Sequence, residues 1–422
     1  MMTKSIFTKL LIWNLFLFSS CGALPKQVIK PDPTSPPSRL AKAIELSTKY
    51  LINAGKPNGQ FIYLVNLHQK REPKKRYNIL RHAGTIYALA KAYQRQPRND
   101  LKKVLLLASQ FIKYHCRPPL PEYEDMLAIW PWRQIKNDRE PSKIKLGGTG
   151  LGLVALISVE RVIPGTTRLT ELIKLGRFLL YMQKEGGDFY SIFNPSNGSR
   201  NDEWSSQYYP SEAALGLLML YELNPSQRWL MAATKAIAFL IRHRAITTTD
   251  QWLLIAGSKL FSMKTYPEEI ISRKLIIKYA IRVCEMIIQE QILYAYDNKY
   301  IGGFSIDGRT TPTATRLEAL LAALNIIGNK DTMISNTIKT SARAAINFLL
   351  RAQISRGKYS GGIPRAVGRT AGDKMFNMRF GEVRIDYVQH ALSALIQYEH
   401  IYNHVSRPKK GVLELKTILQ EH

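Results

Sequence analysis

From Ser38 onward the chain alternates between two kinds of helical segment, and this alternation limits the fold more than any other feature. Apolar residues recur at helical spacing. The pattern predicts helices over 38–54, 79–96, 99–116, 147–163, 166–185, 209–223, 225–245, 249–262, 270–293, 313–327, 330–354 and 385–403. One set is rich in small residues and lightly charged: "LRHAGTIYALA", "LGGTGLGLVAL", "YPSEAALGLLML", "TDQWLLIAGSKL", "PTATRLEALLAAL" and "IDYVQHALSAL". The other set is amphipathic and basic on one face, as in "NDLKKVLLLASQFIKYH" and "SARAAINFLLRAQ". A helix that is apolar all round must be enclosed by others, whereas one with a single apolar stripe belongs at a surface. Alternating pairs at a loose repeat of about 50–75 residues predict two concentric rings. The expected fold is all-α, an (α/α)6 toroid of six helical hairpins, with 38–405 as one domain. "GQFIYLVNL", "GGDFYSIFN", "GGFSIDG" and "GGIPRAV" precede inner helices and predict short β-hairpins in the loops.

The N-terminal residues 1–21 read as an address. Lys4 and Lys9 precede the apolar run "LLIWNLFLF" and the small residues "SSCG", a secretory layout too short for an ordinary membrane span. "FSSC" resembles a bacterial lipobox, with Phe18 where Leu is usual. That resemblance implies lipidation at Cys21 and an exported chain held at the cell envelope by its lipid. Plain signal cleavage nearby and an uncleaved anchor stay open. Residues 22–37, with "KPDPTSPPSR", predict a semi-rigid tether, and 406–422 a basic tail. Cys116 and Cys284 allow one disulfide but no framework. No Cys/His cluster has metal-ligand spacing, and neither metal nor cofactor is expected.

Sixty Lys and Arg against thirty-two Asp and Glu leave a formal charge of +28. Such a surplus favours anionic partners: acidic polysaccharide, a phosphate-rich membrane face or nucleic acid. No nucleic-acid recognition module is visible, and nucleic acid is not the expected partner of an exported chain. Basic runs stand before inner helices in "HQKREPKKRYNILRH", "WPWRQIKNDREPSKIK" and "RAVGRTAGDKMFNMRFGEVR". In a toroid they would rim one face, although a charge run also reads as a solvated surface.

Inner helices of such a ring run in parallel, so their N-termini share one side. Each presents unpaired N–H groups and partial positive charge. The heads gathered there are Arg81 and His82, Thr149, Glu212, Asp250 with Gln251 and Trp252, Arg316 and Glu318, and Arg384, Asp386, Gln389 and His390. The loop "NDEWSSQYY" adds Asp202, Glu203, Trp204, Tyr208 and Tyr209. Carboxylates beside aromatic rings suit sugar, with acids and bases for the glycosidic bond and flat faces for pyranose rings. Structural alternatives stand beside each. Asp250 and Asp386 occupy cap positions. Glu212 suits a helix dipole. His82 and His390 can be hydrogen-bonded core residues, and Glu318 can be the partner of Arg316 or Arg81. Trp252 can be core, and Asp202 and Glu203 can be solvated.

The six inner segments and the Gly-Gly loops resemble those of the six-hairpin glycosidase-like superfamily. Its toroids include glycoside hydrolases, polysaccharide lyases and uronyl epimerases. The resemblance implies general acid and base roles for carboxylates, here Glu212, Asp386, Asp250 or Asp202. It matches no complete subfamily motif. The expected function is hydrolysis of an anionic envelope or extracellular glycan by paired carboxylates, with Arg81, Arg316 and Arg384 holding acidic groups. A lyase or epimerase is the variant. A non-catalytic toroid that binds an envelope polymer or a protein partner is the alternative. Oligomeric state is left open.

Overall fold

The computed structural model describes residues 37–68, 77–131, 143–244, 249–328 and 332–405. The leader, Cys21, most of the tether and the basic tail lie outside the described residues, as do parts of the first two basic loops.

The described helices are α1 (Pro37–Ala54), α2 (Ile79–Arg95), α3 (Asn99–Tyr114), α4 (Leu146–Val162), α5 (Leu169–Tyr181), α6 (Tyr209–Leu223), α7 (Gln227–His243), α8 (Gln251–Phe261), α9 (Arg273–Gln289), α10 (Thr310–Ile327), α11 (Met333–Ala352), α12 (Lys374–Arg379) and α13 (Ile385–Val405). Helices α2, α4, α6, α8, α10 and α13 each pack on the next, and α13 packs back on α2, which closes an inner ring. The odd-numbered helices α1 to α11 lie outside it, each bridging two inner neighbours. This is the (α/α)6 toroid. Among the described residues no helix is long and apolar enough to cross a membrane.

Burial follows the sequence pattern. Every residue of α4 from Leu146 to Val159 is buried. Outer α3 buries only Leu101, Leu105, Ala108, Ser109 and Ile112, a single stripe. Small residues bring inner backbones together. A Cβ on Gly150 of α4 would lie 2.9 Å from the backbone nitrogen of Ala213 in α6.

A staple recurs around the outer ring. Gln183, after α5, donates its amide to the carbonyls of Gly187 and Ala232 at 2.9 Å each. Gln291, after α9, reaches Gly302 and Ser341. Gln353, after α11, reaches Ala43 and the Ser47 hydroxyl of α1. Each ties one outer helix to the next. Gly302 and Gly361 sit at φ +87° beside these staples, and a Cβ on either would strike the carbonyl of Ala344 or Leu46. That close approach is why each Gly-Gly pair stands where it does.

The loop strands pair differently from the local hairpins expected. Only β5 (Ile192–Asn194) and β6 (Ser199–Asn201), among the described strands, form a tight hairpin, and β4 (Ile144–Lys145) adds to β5 across a hairpin of helices. β1 (Leu64–Asn66) pairs with β7 (Glu382–Arg384), Val65 opposite Val383, which joins the two ends of the ring. β2 (Cys116–Arg117) pairs with β3 (Ala128–Ile129). "GGFSIDG" stays in turns, and "GGIPRAV" makes isolated bridges. Cys116 therefore follows α3 rather than ending it, and both Cys116 and Cys284 are free thiols. The short α12, capped by Asp373, is too brief for periodicity to reveal.

Candidate active site

Residues from the first turns of the inner helices line one cavity of about 660 Å3. They include Leu80 and Arg81 of α2, Leu151 of α4, Tyr209 and Glu212 of α6, Gln251 and Trp252 of α8, Thr311 and Arg316 of α10, and Asp386, Tyr387, Gln389 and His390 of α13. Later residues of the same helices, among them Lys91, Arg161, Lys259 and Gln397, line a second chamber of about 680 Å3 at the other end. The inner helices therefore run in one direction. Tyr87 of the second chamber packs on Trp252 of the first, ring centroids 5.7 Å apart, as part of the floor between them.

Local chain chemistry sets the first turns. The Asn78 side chain caps α2 by accepting from Leu80 and Arg81 backbone N–H groups, which presents Arg81 to the cavity. Pro210 in the first turn of α6 precedes Glu212. β7 ends at Arg384 and runs directly into the first turn of α13.

Glu212 is 4% exposed, and its Oε2 has no hydrogen-bond partner. Burial, reinforced by the nearby Asp250 carboxylate, holds its carboxyl well above the usual range. Asp386 is engaged on both oxygens. Arg384 Nε donates to Oδ1 at 2.6 Å, and Arg81 Nε donates to Oδ2 at 3.1 Å. Arg81 also bonds the Tyr63 hydroxyl. Behind the wall, Glu318 is fully buried, and its Oε2 lies 2.8 Å from Nδ1 of His390. The Gln389 amide nitrogen lies 3.1 Å from the same ring nitrogen. Nδ1 of His390 is thus engaged from behind the wall, while the residue itself lines the cavity.

Seven basic side chains line the cavity (Arg81, Lys145, Arg309, Arg316, Arg365, Arg379 and Arg384) against the two carboxyls of Glu212 and Asp386. Arg309, Arg316 and Arg379 are paired with Asp307, Glu290 and Glu382 outside the lining. Lys145 and Arg365 have no carboxylate partner among the described residues. The Lys145 ammonium sits 4.3 Å from the Trp204 ring centroid. Trp204, Tyr208, Tyr209, Trp252 and Tyr387 supply aromatic wall. Among the described residues no group of three His, Cys, Asp or Glu side chains could hold a metal ion.

Several expected members stand elsewhere. His82 is fully buried, with its ring nitrogens against the Tyr77 hydroxyl at 2.6 Å and the Ala108 carbonyl at 2.9 Å. It points outward from α2, one position round from Arg81. Asp250 caps α8 through Trp252 and Leu253 and is locked by Arg244 at 2.7 Å and by the Ser211 hydroxyl. It therefore stands behind the lining, where burial raises its carboxyl to about 6. Asp202 accepts from Ser191 N–H and pairs with Lys184, and exposed Glu203 pairs with Lys143. Both carboxylates follow β6 and stand outside the cavity lining. Thr149 accepts from Ile129 N–H in the core. Glu318 partners His390 rather than Arg316 or Arg81. Conversely, Lys145, Arg309, Arg365, Arg379 and Tyr387 were not singled out from the sequence. For Lys145, Arg365 and Arg379 the signal was the basic runs that contain them, whereas Arg309 and Tyr387 lie in none of these runs.

No protein-family model matches the chain, and no curated protein matches it. Solved structures do. A cellobiose 2-epimerase from Spirochaeta thermophila is 12% identical over 87% of this chain and 97% of that one, with a TM-score of 0.61. An α-mannanase from Bacteroides thetaiotaomicron is 10% identical over 87% and 97%, with a TM-score of 0.55. An unsaturated glucuronyl hydrolase specific for heparin is 13% identical over 87% and 98%, with a TM-score of 0.57. The likeness at these identities is one of fold, and the shared fold is the six-hairpin (α/α)6 toroid.

Proposed function

We propose that this six-hairpin toroid is a carbohydrate-active enzyme that hydrolyses an anionic glycan in the cavity at its inner-helix N-termini. The observation that carries the reading is Glu212, a buried carboxyl with an unpartnered oxygen, held well above the usual carboxylate range by burial and by Asp250, in a wall where seven basic side chains stand against two carboxyls. A glycosidic oxygen must gain a proton as it leaves, and an acid with a raised pKa supplies it near neutral pH. Asp386 is the second carboxylate, fixed by Arg81 and Arg384. Its charge suits stabilisation of the positive charge that develops on the sugar ring. The aromatic wall offers faces for sugar rings. The surplus of cations, added to six helix N-termini, favours an acidic substrate. The names of the structural neighbours, an epimerase, a mannanase and a glucuronyl hydrolase, support carbohydrate as the substrate class.

A second reading, proton abstraction as in a lyase or epimerase, is favoured by one observation, the His390–Glu318 pair. A buried carboxylate that holds Nδ1 fixes the ring and its tautomer for transfer at Nε2.

The test is incubation of wild type and Glu212→Gln with a panel of acidic polysaccharides. New saturated reducing ends, lost in the variant, support hydrolysis. Unsaturated uronate ends, or an inverted sugar centre, transfer the assignment to proton abstraction. Binding without any product leaves the toroid a binder of acidic polymer.

The leader supports an exported, lipid-anchored location: Lys4 and Lys9, the apolar run, and Cys21 in "FSSC". Fatty-acid labelling that is lost in Cys21→Ser tests it.

A further inference from the structure

Among the described residues, every arginine in the cavity wall but one has a carboxylate partner. Arg81 and Arg384 share Asp386, Arg309 pairs with Asp307, Arg316 with Glu290 and Arg379 with Glu382. Arg365 has none. Its guanidinium makes no hydrogen bond with a described residue, and Nη1 is buried without a partner. Buried N–H donors are rarely left so, because an unmade bond loses the hydration that water would supply.

Arg365 is nonetheless held in place. Its backbone N–H donates to the Glu382 carbonyl at 2.7 Å, and its own carbonyl accepts from Thr310 N–H at 3.0 Å. The residue is thus clamped between β7 and the first turn of α10. Its guanidinium carbon lies 5.0 Å from the ring centroid of buried Phe376 on α12, which covers one face. The result is a planar fork, fixed at its base and on one face, in the wall of a polar cavity. Such a fork matches a planar two-oxygen acceptor and so a carboxylate. Lys145, the other unpaired cation, is a point charge that attracts any anion and does not select a shape.

We propose that Arg365 is the specificity residue that reads the carboxylate of a uronic acid unit. The inference rests on the cavity being a glycan site. It adds which acidic group is read and by which side chain. The fork offers two N–H groups to two coplanar oxygens, and no bond is made or broken. Arg365 acts on selection rather than on the glycosidic bond.

Binding to the full chain is measured calorimetrically with three probes: a uronic acid oligosaccharide, the same oligosaccharide with its carboxyls reduced to alcohols, and a sulfated neutral oligosaccharide. Wild type is expected to prefer the uronate over its reduced form by at least about tenfold, equivalent to about 1.4 kcal/mol. Arg365→Met keeps the bulk over Phe376 and is expected to abolish most of that preference while binding the reduced sugar as wild type does. Arg365→Lys keeps the charge without the fork and is expected to retain only a minor part. Unchanged binding of the reduced sugar also shows that each variant is folded. Full preference retained in Arg365→Met overturns this inference and leaves the glycan reading standing, as does a wild-type preference for the sulfated probe. Failure of all three probes to bind wild type overturns the glycan reading and this inference with it.

Discussion

Glu318 of α10 holds Nδ1 of His390 of α13 at 2.8 Å, a contact across two adjacent inner helices joined through the core of the ring. Glu318 is fully buried, and its other oxygen has no partner. This pair separates the two chemistries. Under hydrolysis, Glu318→Gln disturbs only the placing of His390. KM is then expected to rise about tenfold and kcat to stay within a few-fold. A kcat loss of about 100-fold or more with KM held assigns proton transfer to His390.

Glu212→Gln is expected to reduce kcat by about 100-fold or more. Its effect on stability depends on pH in a defined sense. Below the ordinary value of 4.5 the folded and unfolded chains both hold the proton. Above it the unfolded chain releases a proton that folded Glu212 keeps, so stability falls as pH rises until the folded carboxyl titrates. The amide lacks this dependence. The melting temperature of wild type, measured against the variant, is expected to decline from pH 4.5 toward neutrality. A difference that is flat or rises across that range removes the protonated acid from the site.

His82 predicts the opposite slope. Burial pushes its imidazole down to about 4, so below pH 6.5 the unfolded chain takes up a proton that folded His82 refuses. Stability is lost as pH falls from 6.5 toward 4. His82→Gln is expected to destabilise by about 1–3 kcal/mol at neutral pH and to shallow this acid limb. His115, also pushed to about 4, retains its share. Folded His82→Gln is expected to keep near wild-type turnover. A large fall in kcat would return His82 to the site.

Gly150→Ala tests the close approach of α4 and α6. Its new methyl would meet backbone of Ala213 at 2.9–3.0 Å, and backbone cannot swing aside. Urea denaturation is expected to show a loss of about 1–3 kcal/mol. Gly186→Ala, where nothing lies within 4 Å, is expected to stay within about 0.5 kcal/mol of wild type.

The inner-helix heads were only partly legible. Arg81, Glu212, Trp252, Arg316, Asp386, Gln389 and His390 reach the cavity wall as their position on a helix head suggests. His82 does not, because one residue further along a helix turns the side chain by about 100°, away from the ring axis. Asp250 sits at a head yet spends its oxygens on the cap and on Arg244, since a buried carboxylate takes the nearest donors. Arg365 and Arg379 were hidden in a basic run, where sequence does not tell a solvated charge from one folded inward.

What the amino-acid order alone determined is the ring. Helices apolar on every side, such as α4, must be enclosed, and single-stripe helices, such as α3, must do the enclosing. That requirement is one of periodicity and area, and periodicity is written locally. Which carboxyl is buried without a full set of partners and which arginine is left unpaired was decided only when α6, α10, α13 and the 365–384 segment met. Charge and hydrogen bonding depend on distances of a few ångströms between residues far apart in the chain. Glu318 finds His390 and Asp386 finds Arg81 only after the ring has closed.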